Sequence, residues 1–328
     1  MIVVWVGFVA LVVVLLVLDL VVVHRKPHAI SAAEAFAWTG FWIALALVFN
    51  AGVYVFYEHH WFGIGLEIGH PVGGRQAALE FFTGYVIEKS LSLDNIFVIA
   101  MILAYFRVPR AFQHRLLCWG IFGAIVLRGA MIAAGVALIE RFSWMVYVFG
   151  ALLIVTAAKM AVVRHDNVEP ERNLLVRLTR RFYPVSPEYD GTRFFTRLNG
   201  QWAATPMLLA LFVVETSDVL FAVDSIPAIF AVTRDPFIVY TSNVFAILGL
   251  RSLYFALAAV MEKFRYIKAS LVFVLVFVGA KMILSHHIKL PVTFSLAVIA
   301  IILLFGLLAS LIGARRDTAH LRSPTTNH

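Results

Sequence analysis

The stretch from Pro206 to Pro227 reads PMLLALFVVETSDVLFAVDSIP. It is long and apolar enough to cross a bilayer, yet it contains three carboxylates, Glu215, Asp218 and Asp224. A carboxylate near the centre of a membrane costs about 2.5–3.5 kcal/mol or more on insertion scales. Three of them in one segment therefore require an explanation, and the rest of the chain is interpreted around them.

A second acidic stretch lies earlier in the chain. Residues 81–101 read FFTGYVIEKSLSLDNIFVIAM and place Glu88 and Asp94 in a similarly apolar context. Two segments of membrane length thus share the same unusual feature.

The composition predicts an all-α polytopic membrane protein. Of 328 residues, 62% are hydrophobic and 14% are charged, whereas soluble domains have about 45–50% apolar and about 25% charged residues. The apolar residues form runs of roughly 20 or more, which is the length that crosses a bilayer as a helix. We expect a multi-pass protein of the cytoplasmic (inner) membrane, in contact with lipid and not with nucleic acid.

Nine membrane spans are predicted, and the first is expected to be retained because it lacks a signal-peptide cleavage site. The spans are about 2–23, 36–57, 79–104, 112–138, 142–162, 203–231, 237–260, 267–285 and 291–313. The predicted divisions are two N-terminal helices and an external loop (1–78), a three-helix unit (79–162), an Arg-rich cytoplasmic linker (163–202), a second three-helix unit (203–285), and a last helix with a cytoplasmic tail (286–328). Within the linker, a helix is expected at Leu174–Phe182.

The distribution of basic residues predicts the orientation. With the N-terminus outside, the cytoplasmic segments contain 18 Lys and Arg residues and the external loops contain four. Cytoplasmic loops carry the excess of Lys and Arg in membrane proteins. The chain is therefore predicted to be N-out and C-in, which also accounts for the net charge of +8.

The two acidic stretches belong to an internal repeat. Glu88 and Asp94 are six residues apart, as are Asp218 and Asp224, and the second pair follows the first by 130 residues. Further matches in the same order are LRG at 127–129 with LRS at 250–252, ERF at 140–142 with EKF at 262–264, and AKM at 158–160 with AKM at 280–282. Because each unit has three spans, the two copies run in opposite directions across the membrane. Inverted repeats with a site near the midplane are typical of secondary transporters.

The carboxylates suggest a site for a divalent cation between the third and sixth spans. On an ideal helix Glu215 and Asp218 share a face, whereas Asp224 does not, so either the helix is broken or its carboxylates face different neighbours. The predicted metal ligands are Glu88, Asp94, Glu215, Asp218 and Asp224, with Ser92, Asn95 and Ser225 as supporting ligands. Such oxygen ligands suit Mg²⁺, Ca²⁺ or Mn²⁺.

The carboxylates have a second interpretation, as structural partners of cations at membrane level. Four such cations lie in or near other predicted spans: Arg128, Lys159, Arg251 and Lys281. The confinement of the acids to two windows rich in hydroxyl and amide residues favours ligation. A mixed arrangement stays open, in which some acids bind metal while Arg128 and Arg251 fix the inner ends of neighbouring helices. Asp19, near the inner end of the first span, is expected to be solvated or paired.

Two strings resemble a known family. EKSLSLDNIFV at 88–98 and VETSDVLFAVDSIPAIFAVTRDPFIVYTSNVFAILGLRSLYF at 214–255 are similar to the TerC family of integral membrane proteins, especially its Alx branch. The resemblance covers about residues 19–281. It implies that the five carboxylates are the acidic motif residues of the family, whose members are linked to manganese export, tellurium resistance and membrane redox modulation.

The combined expectation is a secondary transporter that exports a divalent metal, Mn²⁺, from the cytoplasm; exchange for protons is one coupling scheme that the carboxylates allow, and the coupling ion stays open. No Walker A, Rossmann or nucleophile-elbow pattern is present, so neither an enzyme nor a tightly bound cofactor is expected. The alternative is a membrane-bound redox modulator, or a scaffold for metal or tellurium resistance that transports nothing itself. The single cysteine, Cys118, rules out a dithiol pair within one chain.

Overall fold

The structure is a computed structural model that describes residues 2–21, 32–66, 71–162, 173–198, 200–258, 267–285, 288 and 290–320. Several segments that entered the prediction of orientation lie outside these residues: HRK at 24–26, the start of the linker at 163–172, the connection at 259–266 and the tail from residue 321. The orientation itself stays a prediction.

The described part of the chain forms long helices and one short hairpin. The helices are α1 (Ile2–Val21), α2 (Ala32–Glu58), α3 (Gly74–Tyr105), α4 (Arg110–Arg141), α5 (Met145–Val162), α6 (Leu174–Phe182), α7 (Pro206–Phe230), α8 (Pro236–Leu248), α9 (Leu250–Ala258), α10 (Ile267–Leu284) and α11 (Val292–His320). The hairpin consists of β1 (Phe195–Leu198) and β2 (Gln201–Ala204). Large apolar side chains, among them Ile2, Val48 and Phe305, are exposed on the outer helices. Contiguous apolar surface of this kind is typical of contact with lipid.

Nine spans are not confirmed. By length and composition, six helices of the described chain are able to cross a membrane, or seven if α8 and α9 together form one span. Helix α3 is not among them, and its apolar stretch is interrupted by Glu88, Lys89 and Asp94. The charged residues that make α3 a candidate part of the functional site also lower its mean hydropathy.

The predicted seventh span, 237–260, is two helices instead of one. Helices α8 and α9 meet at Gly249 with a bend of 41°, and a Cβ on Gly249 would lie 3.0 Å from the Cβ of Trp42. Lys89 of α3 donates a hydrogen bond to the carbonyl of Ala246 at 3.1 Å. Because the last carbonyls of a helix lack partners in the helix, an ammonium group stabilises the end of α8 there.

The linker contains the expected helix and an unexpected hairpin. Helix α6 has the predicted bounds, and Asn173 caps it by accepting hydrogen bonds from two backbone amides. Strands β1 and β2 pair antiparallel, so the all-α description is incomplete. The sequence Asn199-Gly200 between them is a strong hairpin signal, and Gly200 has a φ of 80°.

The two predicted three-helix units are interleaved. Helix α3 of the first unit packs against α8 of the second, and the corresponding helix α7 packs against α4. Helices α3 and α7 also contact each other, and α5 packs along α10. The contact of α3 with α8 thus corresponds to the contact of α7 with α4. The contacts of α3 with α7 and of α5 with α10 each join corresponding helices of the two units. The inverted relation between the units stays a prediction.

Two glycines allow the close approach of α5 and α10. A Cβ on Gly150 would lie 3.0 Å from the carbonyl oxygen of Gly279, and a Cβ on Gly279 would lie 2.9 Å from that of Gly150. Small residues at such crossings let helix backbones come together in membranes. This contact joins α5 to α10, and both helices also pack against α7, which carries part of the candidate site.

Candidate functional site

Helix α7 holds three of the five predicted ligands and continues past Pro227 to its end. Proline lacks an N–H, so the carbonyl of Val223 has no backbone donor four residues later. The helix nevertheless continues. The three carboxylates instead face different neighbours. Glu215 and Asp218 meet α4, whereas Asp224 meets α5.

Arg128 of α4 binds two predicted ligands at once. Its guanidinium donates two hydrogen bonds to Asp218, from Nε at 3.0 Å and from Nη2 at 2.8 Å. Nη1 forms an ion pair with Glu88 of α3 and hydrogen bonds to Asn243 of α8 at 3.1 Å and Ser225 of α7 at 3.4 Å. The amide of Asn243 donates in turn to Glu88 at 3.2 Å. One arginine therefore joins α3, α4, α7 and α8.

This cluster, called here the Arg128 cluster, is buried and has a partly compensated charge. Arg128 is 2% exposed and Glu88 is fully buried. A bidentate arginine–carboxylate pair is stronger and more directional than a neutral hydrogen bond. Glu88 and Asp218 are thus held by a guanidinium, and Ser225 belongs to the same cluster.

Asp94 and Asp224 lie elsewhere, in a cavity of about 580 Å³ bounded by α3, α5, α7 and α10. Asp224 accepts a hydrogen bond from the hydroxyl of Thr156 at 2.7 Å. The other polar groups that line the cavity are Asn95, Lys159 and Ser217. Two carboxylates from different units thus meet neutral oxygens and one ammonium group in a single cavity.

The cavity opens between two helices. Val155 on α5 and Leu220 on α7 line it and are each 64% exposed, whereas Asn95 is buried on α3. The lining therefore changes from exposed apolar side chains on α5 and α7 to a buried amide on α3.

Glu215 occupies a third place, against Gly123 of α4. A Cβ built on Gly123 would overlap the Glu215 carboxyl group, so the carboxyl occupies the space that glycine leaves. No donor from the described residues reaches the buried oxygen Oε2 of Glu215. Gly123 is therefore the residue that lets this carboxyl group stay next to α4.

We expect Gly123→Ala to be less stable than Gly40→Ala, since the flexible Glu215 side chain must move its carboxyl group out of the space that the added methyl group takes, while both substitutions share the gain in helix propensity. The measurement is the thermal midpoint in detergent. Glu215→Ala should restore the midpoint in the Gly123→Ala background, because it removes the overlapping group. Gly40→Ala is the control, since a Cβ there meets nothing within 4 Å; equal effects of both alanine variants would contradict the proposed contact.

The five predicted ligands thus have three surroundings: the Arg128 cluster, the cavity and the Gly123 contact. Within the described chain, no three Asp, Glu, His or Cys side chains form a group suited to a metal ion. Asn95 lines the cavity, while Ser92 is buried elsewhere on α3. Metal binding by these residues stays a prediction.

Arg251, the counterpart of Arg128 in the predicted repeat, has different partners. It forms an ion pair with Asp19 of α1 and contacts the Nε2 atom of His114 at 2.6 Å. It also donates to the sulfur of Cys118 at 3.1 Å. Because a guanidinium only donates, His114 accepts at Nε2 and is neutral in this arrangement. The two units are therefore not equivalent at these arginines.

The two lysines predicted as structural ion-pair partners differ as well. Lys159 lines the cavity that contains Asp224, whereas Lys281 is within electrostatic range of Glu80 on α3. Sequence reasoning missed Asn243 and Thr156. An amide within an apolar helix is a signal for Asn243, but nothing in the sequence singles out Thr156.

Comparison with known proteins supports an integral membrane protein. The model of the integral membrane protein TerC family matches residues 73–318. The chain belongs to the TerC family. It is 52% identical over 311 residues to an uncharacterized membrane protein of Myxococcus xanthus, covering 95% of this chain and 92% of that protein.

Two other relatives illustrate the range of similarity. A protein of Escherichia coli K12, named "Putative membrane-bound redox modulator Alx", is 47% identical over 305 residues, with coverage of 93% of this chain and 91% of that protein. An uncharacterized membrane protein of Rickettsia bellii is 40% identical over 308 residues, with coverage of 94% and 97%. No solved structure gives a significant match.

Proposed function

We propose that this TerC protein is a secondary transporter that exports a divalent metal ion, Mn²⁺, from the cytoplasm. The observation that supports this most is that Asp94 of α3 and Asp224 of α7 line the same cavity. Two carboxylates that line one cavity between apolar helices are oxygen ligands suited to a hard divalent cation. The site is shared by the two acidic helices.

The ligand chemistry favours a hard cation. The cavity offers carboxylates from Asp94 and Asp224, the amide of Asn95 and the hydroxyls of Thr156 and Ser217. Carboxylate and neutral oxygen ligands suit Mg²⁺, Ca²⁺ and Mn²⁺, while thiolate and imidazole suit softer metals. Among the hard ions, Mn²⁺ is proposed on the resemblance to family members that are linked to manganese export.

Lys159 gives the cavity a partial counter-charge. It lines the same cavity and is within electrostatic range of Asp224. A divalent cation would compete with this ammonium group for Asp224. This competition lowers the affinity for the metal, so that the ion can be released. Protons are proposed as the coupling ion, because a carboxylate must lose its proton to bind metal and regains one on release.

The Arg128 cluster would act as the fixed point between the two units. It connects α3 and α4 of the first unit to α7 and α8 of the second. Alternating access in repeat transporters is movement of one unit against the other around a central site. A buried charged cluster at the contact would hold the units in register during that movement.

The proposal is tested with purified protein in liposomes that enclose a Mn²⁺-sensitive dye. We expect a Mn²⁺ signal that depends on the protein and on an imposed pH gradient. Protein that has been inserted but gives no more Mn²⁺ entry than empty liposomes would contradict transport. That result would favour the alternative, in which the protein acts as a redox modulator or scaffold and needs other components.

A further inference from the structure

Helix α6 in the linker has three distinct faces. Val176 and Thr179 are buried, and the helix packs against α7. At about 100° per residue, Leu174, Leu178 and Phe182 share another side of the helix. They are 71%, 47% and 68% exposed. This apolar face is therefore not used for packing within the described chain.

Arginines occupy the third face of α6. Arg177, Arg180 and Arg181 are all exposed, and no acidic residue lies within the helix. The α6 surface is defined here as Leu174, Leu178 and Phe182 with these three arginines. An exposed apolar face beside a basic face is typical of helices that lie in the plane of a membrane interface.

The hairpin extends this surface. Tyr183, next to the end of α6, contacts the ring of Phe195 with centroids 6.0 Å apart. Arg197 pairs with Trp202 across the two strands, and its guanidinium lies 5.3 Å from the indole ring. Trp202 is 58% exposed. Tryptophan and tyrosine are enriched at the level of lipid headgroups.

Chain connectivity puts the surface at the membrane boundary. Helix α6 follows α5 in the chain and packs against α7, and β2 is separated from α7 by Thr205 alone. Both α5 and α7 are long and apolar enough to cross a membrane. The positive-inside prediction puts the linker on the cytoplasmic side, where anionic lipid gives the leaflet a negative potential.

We propose that the α6 surface binds anionic phospholipid headgroups of the inner leaflet. Leu174, Leu178 and Phe182 enter the interface, and the three arginines bind the lipid phosphates. Each Lys or Arg near an anionic membrane surface contributes about 1 kcal/mol, so removal of each arginine should lower the docking equilibrium about fivefold. This binding is independent of the metal cavity and of transport.

The test uses the full-length chain in nanodiscs of phosphatidylcholine, with or without phosphatidylglycerol. Leu178→Cys is labelled with an environment-sensitive fluorophore in a Cys118→Ser background, where serine keeps an acceptor for Arg251. Quenching by spin-labelled lipid reports insertion, and quenching by iodide reports contact with water. We expect strong lipid quenching and weak iodide quenching only when phosphatidylglycerol is present.

The arginine variants show whether charge is responsible. Arg181→Gln should lower lipid quenching, and a variant with all three arginines replaced by glutamine should lower it further. Arg141→Gln, which removes an exposed arginine at the end of α4, should have no effect. The proposal would be overturned if iodide quenching, or quenching by spin-labelled lipid, were the same with and without phosphatidylglycerol. It would also be overturned if neither quencher reached the label. The last result would indicate a protein contact.

Discussion

Asp94→Asn and Asp224→Asn are each expected to abolish manganese efflux while the protein still reaches the membrane. Each change removes one of the two carboxylates in the cavity and keeps the size of the side chain. Loss of a residue that only supports a metal ligand costs about 10–100-fold in affinity. Loss of a direct carboxylate ligand should cost at least as much.

The measurement is intracellular manganese and growth under manganese stress in cells that depend on this protein. Membrane content of each variant is quantified in parallel. Glu140→Gln is the matched control, since Glu140 is exposed near the end of α4 and does not line the cavity. Wild-type manganese levels with either aspartate variant would contradict the cavity as the transport site.

Arg128→Gln is expected to cause the largest loss of stability among single substitutions in the membrane core. The change leaves the buried Glu88 and the largely buried Asp218, 13% exposed, without their shared cation. Removing one partner of a buried ion pair costs about 3–5 kcal/mol, because the remaining charge has no compensation. Arg128→Lys should rescue little, since one ammonium group cannot reproduce the bidentate contact with Asp218.

Thermal unfolding in detergent and the amount of folded protein in the membrane measure this effect. Replacing Arg128 by methionine together with Glu88→Gln and Asp218→Asn should recover part of the lost stability, because no charge is then left alone. Arg141→Gln on the same helix serves as the control and should behave as wild type. If Arg128→Gln unfolds at the wild-type temperature, Arg128 does not hold the units together.

The membrane class and the position of most helices were predictable from the sequence, since they depend on local properties. Apolar runs identify the helices, and the local pattern of Leu174–Phe182 predicts α6 with its observed bounds. The bend at Gly249 was missed because apolar residues continue on both sides of it. The hairpin was missed although Asn199-Gly200 signals it, because the linker was interpreted by composition alone.

The candidate site was predictable in its residues but not in their grouping. Spacing on one helix shows that Asp224 points away from Glu215 and Asp218, but not which helix it meets. Arg128 pairs with Glu88 and Asp218, whereas Asp94 and Asp224 line the cavity. The two arginine pairs join residues that are 40 and 90 positions apart in the sequence. Asn243 and Thr156 enter through such distant contacts as well, which no local pattern describes.

The most direct test of the central claim is anomalous X-ray scattering at the manganese edge from crystals of the protein grown with Mn²⁺. The proposal predicts a peak in the cavity between Asp94 and Asp224, and loss of that peak in Asp224→Asn. A peak beside Glu215 or within the Arg128 cluster would contradict it. So would a manganese-saturated protein with no peak in the cavity.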